Sequence, residues 1–332
     1  MEEKTTHVFT VQEEIQQEEQ QYQHYTPKNF VEYIGQKSLL HKLCIYIEAA
    51  KQRNESLDHL LLFGAPGLGK TTLSHIISKE MNVPIKLCSG PMLERSGDLV
   101  AILSSLQRNE ILFIDEIHRL SPCVEEVLYT AMEEFRIDVV IGQGIAAKSV
   151  SLPLQPFTLI GATTMSGKIS APLRSRFSII ENLEPYTQEE LQQIIENTAA
   201  FLNLTITKEG SLSLAKASRS TPRIAKKLLR RVRDFSQIQN KIADGFLVLH
   251  VLNVLGINDE GLTKQEIKMI SVIKNQFRGG PVGLETLAAI LSEDEETIER
   301  VYEPFLMQKG YLEKTSRGRQ IPKEMEKQIN LF

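Results

Sequence analysis

Apolar positions change their period along this chain, and the change divides it. In the first part, short unbroken apolar runs alternate with stretches of helical spacing. "HLLLF" (59–63) reads as a buried strand. A glycine-rich loop leads from it into "KTTLSHIISKEM" (70–81), where apolar residues return every three or four positions. "VPIKLCSG" (83–90) reads as a second strand, "GDLVAILSSL" (97–106) as a helix, and "EILFIDE" (110–116) as a buried strand ending in two acids. "SPCVEEVLYTAMEEF" (121–135) has the pattern of an amphipathic helix opened by a Ser-Pro cap. "FTLIGATT" (157–164) and "IIENL" (179–183) are further strands, separated by the polar interruption "APLRSRFS" (171–178). Strands alternating with helices imply an α/β layer around a mostly parallel sheet.

One stretch breaks the rhythm. "RIDVVIGQGIAAKSVSLPL" (136–154) has two β-branched arms around "GQG" and predicts a long β-hairpin inserted into the α/β domain. Its tip, with Ile145, Ala146 and Ala147, is apolar for a surface loop. That suits either a hairpin folded back on its own core or a docking surface for another protein.

From Thr187 the pattern turns helical: "TQEELQQIIENTAAFL", "KEGSLSLAKAS", "TPRIAKKLLRRVRDF" and "DGFLVLHVLNVLG" predict a small helical domain. After Gly256 come three helical segments and a basic strand–turn–strand, "EKTSRGRQIP", which is the order of a winged helix; Gly279, Gly280 and Gly310 punctuate it. The expected organisation is a tail (1–20), a large α/β domain (21–182), a helical domain (183–257) and a winged helix (258–332).

Charge and composition narrow the chemistry. The net charge of −4 offers no global basic field, so any DNA contact must come from a local patch. The Gln- and Glu-rich N-terminus lacks the basic flank and apolar core of a signal peptide and has the composition of a disordered tail. No apolar run is long enough to cross a membrane. Cys44, Cys88 and Cys123 fit neither a disulfide framework nor a zinc spacing, and point to a reducing cytoplasm.

"GAPGLGKT" (64–71) is a phosphate-binding loop between a strand and a helix. Gly67, Leu68 and Gly69 would turn backbone N–H groups toward phosphate oxygens, and the following helix adds its N-terminal dipole. Lys70 supplies a point charge to the β- and γ-phosphates of ATP, and Thr71 a hydroxyl to Mg²⁺. Asp115, at the end of its strand, would hold the Mg²⁺ through water, and Glu116 would activate the attacking water. Alone, two acids at a strand end are more often a helix cap; beside a phosphate loop they read as catalytic. Thr163 and Thr164 end the next strand and could bring a hydroxyl toward the γ-phosphate, although a plain polar strand end has the same appearance. His118 reads as a structural or coupling residue. Arg174 and Arg176 have no acid partner nearby in sequence, and an arginine here could reach a neighbouring subunit's γ-phosphate.

The strings "GAPGLGKTT", "LFIDEIHRLSP", "EEVLY", "FTLIGATT", "TPRIA", "LLRRVRDF" and "GGPVGLETLAA" occur in the order seen in the RuvB family of bacterial Holliday-junction branch-migration motors. The resemblance runs from about Tyr33 to Arg319. It implies an AAA+ domain, a helical lid and a DNA-binding winged helix, assembled as a hexameric ring and docked through the hairpin on the partner RuvA. It makes Thr164 the first sensor, Arg176 the arginine finger acting in trans and Arg223 the sensor arginine of the lid, and it puts Tyr186 on the adenine side. It also puts Tyr25, Thr26, Thr72, Glu133, Glu134 and Phe135 among the nucleotide-side residues, and Lys314, Arg317 and Arg319 on DNA phosphates.

The chain departs from the family pattern at Thr26 (usually Arg), Met165 (usually Arg), Ile145 and Lys148 in the hairpin, and Ser220 (usually Gly). None of these is a primary catalytic group. The implied function is ATP-driven movement of the duplex arms of a Holliday junction. A clamp-loader-like switch and a nucleotide-regulated DNA-binding protein are the alternatives. The hairpin and winged helix argue against the first of these, and the Asp115–Glu116 pair against the second.

Overall fold

The strands form where apolar runs can be covered on both faces. In the computed structural model, which describes residues 26–141 and 148–325, β1 (Leu60–Phe63), β2 (Ile85–Ser89), β3 (Ile111–Asp115), β6 (Thr158–Thr163) and β7 (Ile179–Asn182) make one sheet. The order is β2-β3-β6-β1-β7, and every pairing in it is parallel. β6 lies at the centre and is buried along its whole length, the environment that a continuous apolar strand requires.

Helices α1 (Lys37–Arg53), α2 (Lys70–Met81), α3 (Ser96–Ser104) and α4 (Pro122–Glu134) turn apolar stripes inward. In α2 the stripe is Leu73, Ile76, Ile77 and Met81; in α4 it is Val124, Leu128, Ala131 and Met132. Ser121 precedes α4, but its hydroxyl faces the Cys123 sulfur at 3.1 Å and accepts no helix N–H. Pro122 at the first helical position sets the helix start instead.

Two local features refine the sequence expectations. The insertion is a hairpin of β4 (Arg136–Ile141) and β5 (Lys148–Pro153), paired antiparallel and separate from the main sheet. Its apolar tip at Ile145–Ala147 lies outside the described residues, as do the N-terminal tail and Tyr25. The polar interruption is not a loop throughout: residues 171–175 form a short helix, α5 (Ala171–Ser175), capped by the Ser170 hydroxyl, which accepts from the Leu173 N–H at 3.3 Å.

The chain divides into two compact units. One runs to Glu190 and also takes in Thr221–Arg223; the other comprises Leu191–Ser220 and Ile224 onward. The second unit holds most of α6 (Gln188–Phe201) and of α8 (Pro222–Gln239), with α7 (Lys208–Ala217) and α9 (Gly245–Val254), followed by the winged helix. There α10 (Lys264–Gln276), α11 (Leu284–Leu291) and a third helical segment over 295–308 precede a hairpin of β8 (Glu313–Thr315) and β9 (Gly318–Gln320). Met269, Ile273, Leu287, Leu291, Ile298, Leu306 and Leu312 form its core.

Candidate active site

The phosphate loop leaves β1 at its C-terminal end, and only glycine tolerates the backbone it takes there. Gly64, Gly67 and Gly69 have φ of 145°, 82° and 101°. Lys70 opens α2 and is buried, its Nζ donating to the carbonyls of Gly64 and Ala65 at 2.8 and 3.0 Å. Burial pulls the Lys70 amine below its ordinary pKa, the Asp115 and Glu116 carboxylates push it back up, and Arg223 lowers it. A Cβ on Gly67 would meet Arg223 and Thr221 side-chain atoms at 2.8 Å each, so these two residues lie against the loop.

Behind the loop, the Tyr186 hydroxyl bonds Tyr33 at 3.1 Å and the Leu68 carbonyl at 3.3 Å. A Cβ on Gly69 would lie 2.8 Å from the Tyr33 hydroxyl, and one on Gly35 would lie 2.7 Å from the Tyr186 ring. Burial pushes the Tyr186 phenol up to about 12, so it stays protonated and able to donate. Tyr186 thus supports the loop from beneath. Tyr33, its partner 153 positions upstream, carries no local signature in the sequence.

Strand order brings the acids into place. β6 stands between β1 and β3, so its C-terminal threonines lie between the phosphate loop and the Asp115–Glu116 pair. The Thr164 hydroxyl donates to Glu116 Oε2 at 3.3 Å. His118 Nδ1 is 2.8 Å from the Thr163 hydroxyl and 3.3 Å from the same Glu116 oxygen, which links the ring to both groups. Burial keeps the His118 pKa low against the opposing pull of Glu116, which leaves the ring neutral. Glu116 itself is left-handed, with φ of 49°, and its N–H donates to Asp115 Oδ1 at 2.9 Å. No three His, Cys, Asp or Glu side chains among the described residues converge as a metal cage. Asp115 and the exposed Thr71 at the start of α2 nonetheless present hard oxygen donors, which Mg²⁺ combines with water and phosphate oxygens. Thr72 follows in the first turn of α2.

Arg176 is not part of this cluster. It precedes β7, whose Ile179 pairs with Leu60 at the start of β1, while the phosphate loop leaves the other end. Four residues of strand, roughly 13 Å, separate the two ends. Its guanidinium donates to the Pro172 carbonyl at 2.7 Å and to Glu133 at 3.1 Å, and lies 4.4 Å from the Tyr129 ring centroid. The acid partner missing from its sequence neighbourhood is therefore Glu133, on α4. Arg174 is exposed on α5.

Glu133, Glu134 and Phe135 lie away from their own chain's nucleotide loop. Thirteen residues of α4, about 20 Å of helix, carry them to the strands' N-terminal ends. There Glu134 pairs with Arg136, and Phe135 packs edge-on against Phe157 with centroids 5.8 Å apart. Thr26 opens the loop over 26–35 that carries Tyr33.

In the wing, the three expected DNA-side cations do not share one environment. Arg319 does not face outward: it is 7% exposed, donating to Glu303 at 2.6 Å and to Glu299 at 2.8 Å. Lys314 is more open but also reaches Glu299, at 2.8 Å. Arg317, at the turn, is exposed.

A phosphate loop, a neighbouring acid pair and the intervening strand-end threonines, carried on a five-stranded parallel sheet, define a P-loop ATPase of the AAA+ class. Family models specify it further. The model for the Holliday junction DNA helicase RuvB P-loop domain matches residues 25–183, the RuvB AAA lid domain matches 186–258, and the RuvB C-terminal winged helix domain matches 259–328. The chain belongs to the RuvB family. Among solved structures it is similar to the RuvB Holliday junction branch migration motor of Thermotoga maritima, at 46% identity and a TM-score of 0.80, over 92% of this chain and 98% of that one. Two point mutants of the Thermotoga protein match at the same identity and coverage with TM-scores of 0.81.

Proposed function

We propose that this chain is an ATP-driven motor that moves the duplex arms of a Holliday junction in the cytoplasm. It works as a hexameric ring with RuvA docked on the β4–β5 hairpin. One observation carries the reading: the acid pair and Arg176, the finger candidate held by Pro172 and Glu133, lie at opposite ends of the same sheet. Each subunit then has a pocket at one end and a finger at the other, which suits neighbours arranged head to tail.

In this reading the Gly67–Gly69 amides and Lys70 bind the ATP phosphates, and Arg223 adds charge from beside Gly67. Thr71 and Asp115 would hold Mg²⁺, which, when bound, neutralises charge on the phosphate oxygens. Glu116 accepts the proton of the attacking water, held toward it by Thr164 and His118. Arg176 exchanges its own Glu133 for the neighbour's γ-phosphate. Glu133, Glu134 and Phe135 then meet nucleotide only across that same subunit boundary. Arg317, with Lys314 once Glu299 releases it, contacts duplex phosphates without reading bases.

The direct test is migration of a synthetic four-way junction, with and without RuvA. ATP-dependent product, increased by RuvA, is expected. ATP hydrolysis without any junction movement would instead favour a nucleotide-regulated DNA-binding switch.

A further inference from the structure

Arg219 stands outside every role assigned above. It closes the turn after α7, yet its side chain leaves the helical lid. Nη1 and Nη2 donate to Oε1 and Oε2 of Glu266 at 2.9 and 2.6 Å, and Nε donates to the Gly261 carbonyl at 2.8 Å. The guanidinium lies 4.4 Å from the Phe305 ring centroid. Gly261, Glu266 and Phe305 belong to the leading loop, first helix and third helical segment of the winged helix. One lid residue therefore grips three parts of that module.

The grip is built on both sides. Glu266 is 0% exposed and also accepts from the Thr263 N–H and hydroxyl at 2.7 and 2.8 Å, as the capping box of α10. Gly261 has φ of 86°, and a Cβ there would lie 2.6 Å from the Ala217 carbonyl at the end of α7. Arg219 and Ser220 are both left-handed, with φ of 52° and 53°. Two successive non-glycine residues persist in that region only where their surroundings over-determine them. The fixed arginine fork anchors the first of the two.

A buried ion pair is a poor source of net stability, since apolar residues of equal volume serve as well. A bidentate arginine–carboxylate pair does fix distance and plane together. The chain then continues through Thr221, Pro222 and Arg223, and the side chains of Thr221 and Arg223 close on Gly67.

We propose that Arg219 is a positioning residue: its pair with Glu266 fixes the α7–α8 turn to the winged helix, so that movement of the winged helix on duplex DNA reaches Arg223 through residues 219–223. This rests on the reading of the chain as a DNA-driven ATPase.

The test uses the full chain carrying Arg219→Met with Glu266→Gln, which removes both charges and strands neither. Arg219→Lys, which keeps the charge but loses the fork, serves as the second variant. Basal ATPase, duplex affinity and duplex-stimulated ATPase are measured on each. Stimulation should fall about tenfold in both variants, within the range of allosteric couplings, while basal turnover and duplex affinity stay near those of the unaltered chain. Stimulation that survives in both overturns the proposal. So do basal turnover or duplex affinity that fall together with stimulation in the double variant, because the pair would then only hold the fold together. An unaltered chain that duplex does not stimulate refutes the DNA-driven reading itself, and the coupling with it.

Discussion

Glu116 owes its direction to one backbone angle and two neighbours. Its left-handed φ ends β3 sharply, and the Thr164 hydroxyl and His118 ring then hold the carboxylate. Glu116→Gln keeps the shape and the Thr164 contact but cannot take up a proton. Single-turnover hydrolysis should fall by about 10²–10⁴, while ATP binding, followed by a fluorescent nucleotide, persists. Equal loss of both would make Glu116 a binding residue. His59 offers a different single-residue test. Its Nε2 faces the Met132 carbonyl at 3.1 Å, and its Nδ1 accepts from the Leu159 N–H at 2.9 Å, so the buried ring is neutral. Burial lowers its pKa below the ordinary value of 6.5, against the weaker upward pull of the Met132 carbonyl. Below pH 6.5 the unfolded chain takes up the proton and the folded chain does not, so stability is full above that pH and declines as pH falls toward the folded value. His59→Gln should flatten this part of the pH–melting curve. A slope unchanged by the substitution would assign acid lability to other groups.

At the scale of an element, the β8–β9 wing shows how composition misleads. "EKTSRGR" is a dense basic turn, but acids distant in sequence decide which of its cations stay open to solvent. Lys314 pairs across the hairpin with Arg319, and of the two Arg319 is sealed against Glu303 and Glu299. Arg319→Ala strands the buried Glu303 and should cost about 3–5 kcal/mol of stability, read as a lower melting temperature. Arg317→Ala should leave melting unchanged and reduce the slope of log duplex affinity against log salt by about one. If Arg319→Ala melts like the unaltered chain and lowers the salt slope, the outward placement is restored. The β4–β5 hairpin is the opposite case: its β-branched arms form the element their sequence implied, because pairing within one short segment needs no distant partner.

Across the whole molecule, the sheet sets Arg176 at the opposite end from its own phosphate loop, and on the proposed ring reading hydrolysis then depends on a neighbouring subunit. Arg176→Ala should bind ATP almost normally and lose turnover, and Lys70→Ala should lose productive ATP use. Mixing the two variants should recover turnover at boundaries that join an intact Lys70 pocket to an intact Arg176. Mixtures that stay inactive at every ratio would count against a finger in trans. Arg174→Ala should matter less; the reverse ranking would move the finger by two residues.

The phosphate loop, the acid pair, the parallel-sheet layer, the hairpin and the winged-helix order were legible from the chain itself. Each depends on neighbours within a few positions: glycines that free the backbone, apolar runs that demand burial, and periodicity that selects helix or strand. Pairings across long separations were not legible. Tyr33 with Tyr186, Arg176 with Glu133, Arg319 with Glu303 and Arg219 with Glu266 lie 153, 43, 16 and 47 positions apart. A charge in the sequence has no direction until packing supplies one. Strand order decides that Thr164 stands between loop and acids, and helix length decides that Glu133 leaves them. Burial then turns Arg319 into a structural ion pair and leaves Arg317 to the solvent.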